Sequence, residues 1–442
     1  MKKVLVLGAG LVSRPLVRYL LDHPDFGVTV ASRTVSKAEA LVAGHKNGNA
    51  VQLLANETAK LEKLVSEHDL AISLLPAPLH PVVAEMCASH RKHMVTTSYV
   101  SPKMRSLDDA AKSAGVILLN EIGVDPGIDH MSAMRVIHDV KKRGGQVVSF
   151  KSYCGGLPAP EANNNPWGYK FSWSPRGVCT AGKNAARYRE NGKLVEIPGP
   201  ELFTCHHPVS VTGIGELEGY PNRDSLIYVE LYGLEGIDTM FRGTLRYPGW
   251  CACLKKVVDL GLLDETPVTY PPGMTFAKWT AGFIKAKSTA NLREQVAKHL
   301  GLEPASNVLD RWEWLGLFSN DPLPITGQQT TALDVLAARM DAKMPYKKGE
   351  RDMLILLHRF VARFPGQPDE RISSTLIDFG QPEGDSSMAR TVSLPAAVAT
   401  KLILTGQIRE TGVQIPVTPA IYAPVLDELA TMGIRCEEKT EQ

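Results

Sequence analysis

The chain has 442 residues, a formal net charge of +2, 44% apolar residues and 22% charged residues. That length predicts two to four domains at roughly 100–200 residues each, with a core large enough to need no covalent staples. The near-neutral balance excludes the electrostatics of a nucleic-acid binder. The apolar run at residues 4–7 is too short for a signal peptide or a membrane span, so a cytoplasmic protein with no membrane partner is expected.

The first 120 residues alternate short apolar runs with segments of helical spacing. Strands are predicted at residues 4–7, 28–31, 51–54, 70–75, 94–97 and 116–119. Helices are predicted between them at 11–21, 37–42, 58–65, 80–89 and 103–113. Fully apolar runs of four residues suit parallel strands covered on both faces, and the alternation implies a doubly wound parallel sheet. The rhythm breaks after Gly123-Val124-Asp125-Pro126-Gly127, where a helix over 129–142 is predicted with Asp129 as its cap. Strands at 209–211, 226–231 and 240–245, separated by Gly/Pro/Asn loops, predict a second, mixed sheet. Residues 266–345 read as mainly helical, with 292–300 and 331–344 the clearest cases. Strand patterning resumes at 352–360 and 371–379. Helices follow at 387–405 and 420–432, and a last strand is expected at 434–436.

The seven cysteines are scattered and include no CxxC pair. Buried thiols are expected, and no metal site.

Gly8-Ala9-Gly10-Leu11-Val12-Ser13 follows the first strand and opens the first helix. It fits the dinucleotide fingerprint G-x-G-x-x-G, with Ser13 in place of the third glycine. Gly8 permits the tight turn and Gly10 lets the backbone approach a pyrophosphate. The helix N-terminus offers amide hydrogens and positive partial charge. At the end of the second strand an NAD-binding chain often carries an acid to hold the ribose hydroxyls. Here the residues are Ala31-Ser32-Arg33-Thr34. A guanidinium and two hydroxyls suit a 2′-phosphate, so NADP(H) is predicted over NAD. Ligands in such sheets sit outside the carboxyl ends of the strands. Leu74 and Leu75 there can flank a nucleoside or simply pack.

Longer stretches carry a specific resemblance. Val95-Thr96-Thr97-Ser98-Tyr99-Val100-Ser101-Pro102, the run from Asn120-Glu121-Ile122 to Asp129-His130, and Ser152-Tyr153-Cys154-Gly155-Gly156-Leu157-Pro158 resemble signature segments of the glutamate-forming saccharopine dehydrogenase family. So do Asn164-Asn165-Pro166-Trp167-Gly168-Tyr169, Tyr220-Pro221-Asn222-Arg223-Asp224-Ser225, Arg242-Gly243-Thr244-Leu245-Arg246-Tyr247 and Ser387-Met388-Ala389-Arg390.

The resemblance implies three domains: a Rossmann domain over residues 1–126 plus about 388–442, a second α/β domain over 127–265 plus about 346–387, and an inserted helical domain over 266–345. It implies NADP(H)-dependent interconversion of saccharopine with glutamate and aminoadipate semialdehyde. It also implies that substrate touches Ser98, Tyr99, Asp125, Arg223, Thr244, Leu245 and Arg246. The cofactor residues implied are Gly8, Gly10, Leu11, Val12, Ser13, Ser32, Arg33, Thr34, Leu75, Thr97, Val124, Asp125, Pro126 and Trp173. The oligomeric state stays open and admits a homodimer.

Saccharopine is a secondary amine with three carboxylates, so its site should offer more than one guanidinium. Arg223 and Arg246 are the candidates; an ordinary surface pairing of Arg223 with Asp224 is the simpler alternative for the former. Oxidation of the C–N bond needs the free amine, hence a proton acceptor, for which Asp125, Tyr99 and water are all candidates. His130, one helical turn beyond, is expected to be structural. A polyamine-forming imine reductase of the carboxynorspermidine or homospermidine synthase kind is the alternative enzyme, but its cationic substrate would need acids where Arg223 and Arg246 stand. A nucleotide-binding protein without turnover is the alternative outside catalysis.

Overall fold

The computed structural model describes residues 1–54 and 56–441. The chain forms two compact units, Met1–Val147 with Val361–Gln442, and Val148–Phe360.

The first unit is built on a seven-stranded parallel sheet. Its strands are β1 (Lys2–Leu7), β2 (Phe26–Ser32), β3 (Gly48–Gln52), β4 (Leu70–Ser73), β5 (His93–Val95) and β6 (Ile117–Leu119), joined by a short edge strand, Gly412–Gln414. The spatial order is Gly412–Gln414, β6, β5, β4, β1, β2, β3. Val4, Leu5, Val6 and Leu7 are wholly buried, as befits a central strand covered on both faces. The chain starts at β1, builds outward through β2 and β3, then returns to β4 on the other side. The crevice at the carboxyl ends of β1 and β4 is therefore the switch point where such sheets bind ligands. Helix α1 (Ser13–Asp22) packs Leu16, Val17, Leu20 and Leu21 inward. The apolar helix Ser387–Leu404 also belongs to this unit.

Most predicted elements of this unit are present with shifted ends, and helix His80–Ser89 has the predicted bounds. The predicted helix over 103–113 is instead two, Pro102–Arg105 and Asp108–Ala114. Ser101 caps the first, its Oγ accepting from the Met104 amide at 3.1 Å. Asp108 is drawn to the edge strand, accepting from the Val413 amide at 2.8 Å. Asp129 is not the cap of helix Ile128–Lys142. It lies inside the first turn, and its Oδ1 accepts from the Gly127 and His130 amides at 2.6 and 2.8 Å. The last strand is Glu437–Glu441 rather than 434–436, pairing antiparallel with Glu370–Phe379.

In the second unit, strand Thr239–Arg246 runs parallel to Gln146–Pro158 on one side and antiparallel to Gly215–Pro221 on the other. His207–Val211 pairs beyond, so this sheet is mixed, as predicted. A hairpin, Ala186–Glu190 with Lys193–Ile197, turns at Asn191-Gly192, both with positive φ. That is the dipeptide a tight two-residue hairpin favours. The predicted strand at 226–231 is a helix, Ile227–Leu231. A six-residue run interrupted by Glu230 has no decisive period, and the Asp224 carboxylate takes the Leu226 amide at 2.8 Å, turning the chain before it. Residues 266–345 hold four helices, Phe276–Phe283, Leu292–Leu300, Asn307–Leu315 and Ala332–Lys343, and one small two-stranded pair.

Candidate functional site

The glycine loop lies at the carboxyl end of β1. Gly8 has φ +117°, and a Cβ there would sit 3.0 Å from the Leu74 carbonyl oxygen. Both observations require glycine. A Cβ on Gly10 would meet nothing, so the backbone there is open to a ligand. Ser13 does more than stay small. Its side chain is fully buried, and its Oγ accepts from the Gly10 amide at 3.0 Å and donates to the Gly8 carbonyl at 3.3 Å, tying the loop across itself. No side chain caps α1. The Ser13 amide donates to the Gly10 carbonyl at 3.3 Å and Pro15 has no amide hydrogen, which leaves the Leu11, Val12 and Arg14 amides to meet a pyrophosphate. Leu11 stands exposed at the tip of the loop, and Val12 is half-buried beside it.

At the end of β2, Ser32 is half-buried while Arg33 and Thr34 are exposed. The Thr34 amide donates to Ser32 Oγ at 3.3 Å, fixing the turn. Among the described residues Arg33 makes no ion pair. The donor set fits a 2′-phosphate, and no acid stands at this strand end to repel one. Leu74 and Leu75 at the end of β4 are half-buried.

The carboxyl ends of β5 and β6 bring several predicted residues together. Tyr99 donates its hydroxyl to Asp125 Oδ1 at 3.1 Å. Thr97 lies against Gly123, its Cβ 3.1 Å from where a Gly123 side chain would begin. Val124 and Pro126 are buried, whereas Asp125 is partly exposed. Glu121 pins this corner: Oε1 accepts from the Val100 amide at 2.9 Å, Oε2 meets His130 Nε2 at 2.8 Å, and the Glu121 amide donates to the Ser98 carbonyl at 3.1 Å. His130 and Glu121 are both buried, so the pair braces the loop that presents Ser98 and Tyr99. This agrees with a structural part for His130. A further contact was not foreseen: His80 bridges Ser73 Oγ and Ser98 Oγ, at 2.8 Å to each.

In the second unit, the period-two geometry of strand Thr239–Arg246 puts Arg242, Thr244 and Arg246 on one face and Leu245 on the other. The Leu245 side chain is wholly buried and packs towards Gly155, while its carbonyl accepts from Arg246 Nη1 at 2.7 Å. Arg246 is 5% exposed. Its guanidinium carbon lies 5.0 Å from the Tyr169 ring centre and 5.5 Å from that of Trp250. Its Nε is buried without a partner, and among the described residues it makes no ion pair. Burial pushes the Tyr169 and Tyr220 phenols up, against the pull of the Arg246 charge. Trp173 joins this cluster, donating from Nε1 to the Tyr169 hydroxyl at 3.3 Å. Trp250 is held by helix Trp250–Asp259, whose N-terminus is already satisfied by Glu218, which accepts from the Gly249 and Cys251 amides.

A buried guanidinium without a carboxylate is costly. The arrangement can grip a carboxylate from outside the chain. Tyr169, Tyr220 and Trp250 were missed by sequence reasoning; an aromatic pattern alone does not separate a cage around a cation from ordinary core.

Arg223 is different. It is exposed, with φ +54°, on the turn before Asp224. The Asp224 carboxylate beside it is gripped by Arg187, through Nε at 3.0 Å and Nη2 at 2.6 Å. Arg242, on the Arg246 face and 5% exposed, stacks its guanidinium 4.3 Å from the Tyr228 ring centre.

A family model described as "Saccharopine dehydrogenase NADP binding domain" matches residues 4–119, and one described as "Saccharopine dehydrogenase C-terminal domain" matches residues 123–434. The chain is 45% identical over 448 residues to a saccharopine dehydrogenase [NADP(+), L-glutamate-forming] from Schizosaccharomyces pombe, covering 99% of each protein. It is 39% identical over 443 residues to the mitochondrial alpha-aminoadipic semialdehyde synthase of Bos taurus, covering 98% of this chain but 47% of that protein. A solved structure of apo, histidine-tagged saccharopine dehydrogenase (L-Glu forming) from Saccharomyces cerevisiae aligns over 100% of both chains with a TM-score of 0.90 and 38% identity.

Proposed function

The chain belongs to the saccharopine dehydrogenase family, and from that premise we propose that it interconverts saccharopine with L-glutamate and L-2-aminoadipate 6-semialdehyde using NADP(H). The observation that carries the substrate reading is Arg246, a buried guanidinium caged by aromatic rings and lacking a carboxylate of its own. A polycarboxylate ligand supplies what the fold withholds. The loop of Gly8, Gly10, Leu11, Val12 and Ser13 takes the pyrophosphate, and Ser32, Arg33 and Thr34 take the 2′-phosphate. Leu75, Thr97, Val124, Asp125, Pro126 and Trp173 complete the cofactor contacts. NADP(H) supplies the hydride chemistry when bound.

The chain's own residues bind, orient and move a proton. Arg246, with Thr244 beside it on the same strand face and Arg223 on its turn, fixes the carboxylates. Ser98 and Tyr99 hold the rest of the conjugate, and Leu245 contributes backbone rather than side chain. Asp125, oriented by the Tyr99 hydroxyl on Oδ1, accepts the amine proton so that a nitrogen lone pair can drive cleavage of the adjacent C–H bond. No helix among the described residues is long and apolar enough to cross a membrane. The reading extends to a cytoplasmic homodimer, with residues 266–345 as a helical domain of its own; cell fractionation, light scattering and limited proteolysis test those parts.

A spectrophotometric assay of saccharopine with NADP and NAD side by side tests the reading. Turnover favouring NADP is expected. Turnover with putrescine or diaminopropane in place of glutamate in the reductive direction, and none with glutamate, would give the site to the polyamine-forming class instead.

A further inference from the structure

We propose that His80 is a positioning residue that presents the Ser98 hydroxyl as an obligate hydrogen donor towards a carboxylate of the bound substrate. The inference rests on the functional reading above, in which Ser98 touches substrate, and adds to it a residue and a proton assignment.

The argument begins at Ser73, the last residue of β4, whose side chain is wholly buried. A buried hydroxyl whose hydrogen finds no acceptor is costly, so Ser73 must donate. Among the described residues its Oγ meets one polar side chain, His80, with Nδ1 at 2.8 Å. Thr96 contacts Ser73 only as a donor to its carbonyl, at 2.9 Å. His80 Nδ1 is therefore the acceptor. A neutral imidazole has one N–H, which must then be on Nε2. That N–H donates to Ser98 Oγ at 2.8 Å.

With one lone pair of Ser98 Oγ engaged from behind, the hydroxyl hydrogen is directed elsewhere. Ser98 is partly exposed, so that direction is open to a ligand. Its backbone cannot drift, because the Ser98 carbonyl takes the Glu121 amide at 3.1 Å. Each bond in the series Ser73, His80, Ser98 also polarises the next, making Ser98 a better donor to an anion. The opposite proton order would make Ser98 give its hydrogen to His80 and offer only lone pairs to the ligand, which a carboxylate would reject. A charged ring would fit no better, since both nitrogens would be donors and the Ser73 hydrogen would have no acceptor. Burial supports the neutral form by pushing the His80 pKa down to about 4.

Two readouts test this on the full-length enzyme. Long-range proton–nitrogen NMR of histidine-labelled protein, with His80 assigned by its loss in His80→Gln, reports the tautomer directly. The expected spectrum is Nε2–H with bare Nδ1, unchanged between about pH 5.5 and 8. A bare Nε2 overturns the proposal whatever the kinetics show.

Steady-state kinetics supply the second readout. Ser98→Ala and His80→Leu should each raise the KM for saccharopine about tenfold, the loss of one hydrogen bond to a charged group, while the KM for NADP stays within about twofold. His80→Gln, whose amide can still donate from near the Nε2 position, should restore part of the difference. If Ser98→Ala raises that KM and His80→Leu does not, the bridge is idle and the proposal fails while the substrate reading stands. If Ser98→Ala leaves it unmoved, the placement of Ser98 against substrate falls, and the proposal with it.

Discussion

Arg246→Met separates a residue that binds substrate from one that holds the fold. Methionine keeps an unbranched chain for the cage of Tyr169, Tyr220 and Trp250 but removes the charge. In the free enzyme the arginine charge gains two ring contacts, at 5.0 and 5.5 Å, and one bond to the Leu245 carbonyl. Such terms are worth about 3–5 kcal/mol together, against a desolvation cost of several kcal/mol for a guanidinium that is 5% exposed. The two nearly cancel. The variant should therefore lie within about 1 kcal/mol of the parent, a Tm change of no more than roughly 2–4 °C. Substrate binding should behave very differently. A bidentate grip on a carboxylate contributes about 3–5 kcal/mol, so the KM for saccharopine should rise from about a hundredfold to several thousandfold, with the KM for NADP little changed. Initial rates with each substrate varied, alongside urea unfolding without ligand, measure both quantities. Destabilisation of about 3 kcal/mol or more with an unmoved KM for saccharopine would refute the reasoning and make Arg246 a structural cation.

Other perturbations probe the dinucleotide side. Arg33→Asp should weaken NADPH about a hundredfold and leave NADH within about threefold, read by fluorescence titration; equal losses would mean Arg33 does not hold the 2′-phosphate. Ser13→Ala removes the tie between Gly8 and Gly10 and should cost about 1 kcal/mol in unfolding free energy while weakening NADPH; Ser13→Thr, keeping the hydroxyl, should recover affinity unless its extra methyl cannot be seated. His80 gives a pH signature. Burial lowers its pKa from 6.5 to about 4, so the unfolded chain binds a proton through that interval that the folded ring does not. The neutral ring's contribution is full above about pH 6.5 and is lost as pH falls to about 4, amounting to about 3 kcal/mol. Urea unfolding across that range should show a shallower decline for His80→Gln than for the parent; identical slopes would show that the ring titrates as in the unfolded chain.

The parts of this structure legible in sequence are those where one local signal decides. The four apolar residues of β1, the glycines after them and the inward spacing of Leu16, Val17, Leu20 and Leu21 specify strand, turn and helix together. Helix Leu292–Leu300 was equally legible, because Gly301 in the left-handed conformation stops it. Elements whose reasons are tertiary were not. Gly412–Gln414 is three residues long and has no strand pattern; it exists because it extends the sheet beside β6. The apolar run before Tyr232 read as a strand, and only the Asp224 turn ahead of it made a helix. The site divides in the same way. Arg33 and Arg246 are visible as residue types in informative motifs, but that one is exposed and the other caged depends on Tyr169, Tyr220 and Trp250, far from Arg246 in places. His80 gave no signal, since its partners lie 7 residues before and 18 after it. Its proton order can be deduced only once both distances are known.

The central claim is tested most directly by identifying which carbon–nitrogen bond of saccharopine is broken. Incubation with NADP, followed by amino-acid analysis and trapping of any aldehyde, should give L-glutamate and 2-aminoadipate 6-semialdehyde in equal amounts, with one NADPH formed per pair. Lysine and 2-oxoglutarate as the products, or no turnover by a protein that still binds NADPH, would contradict it.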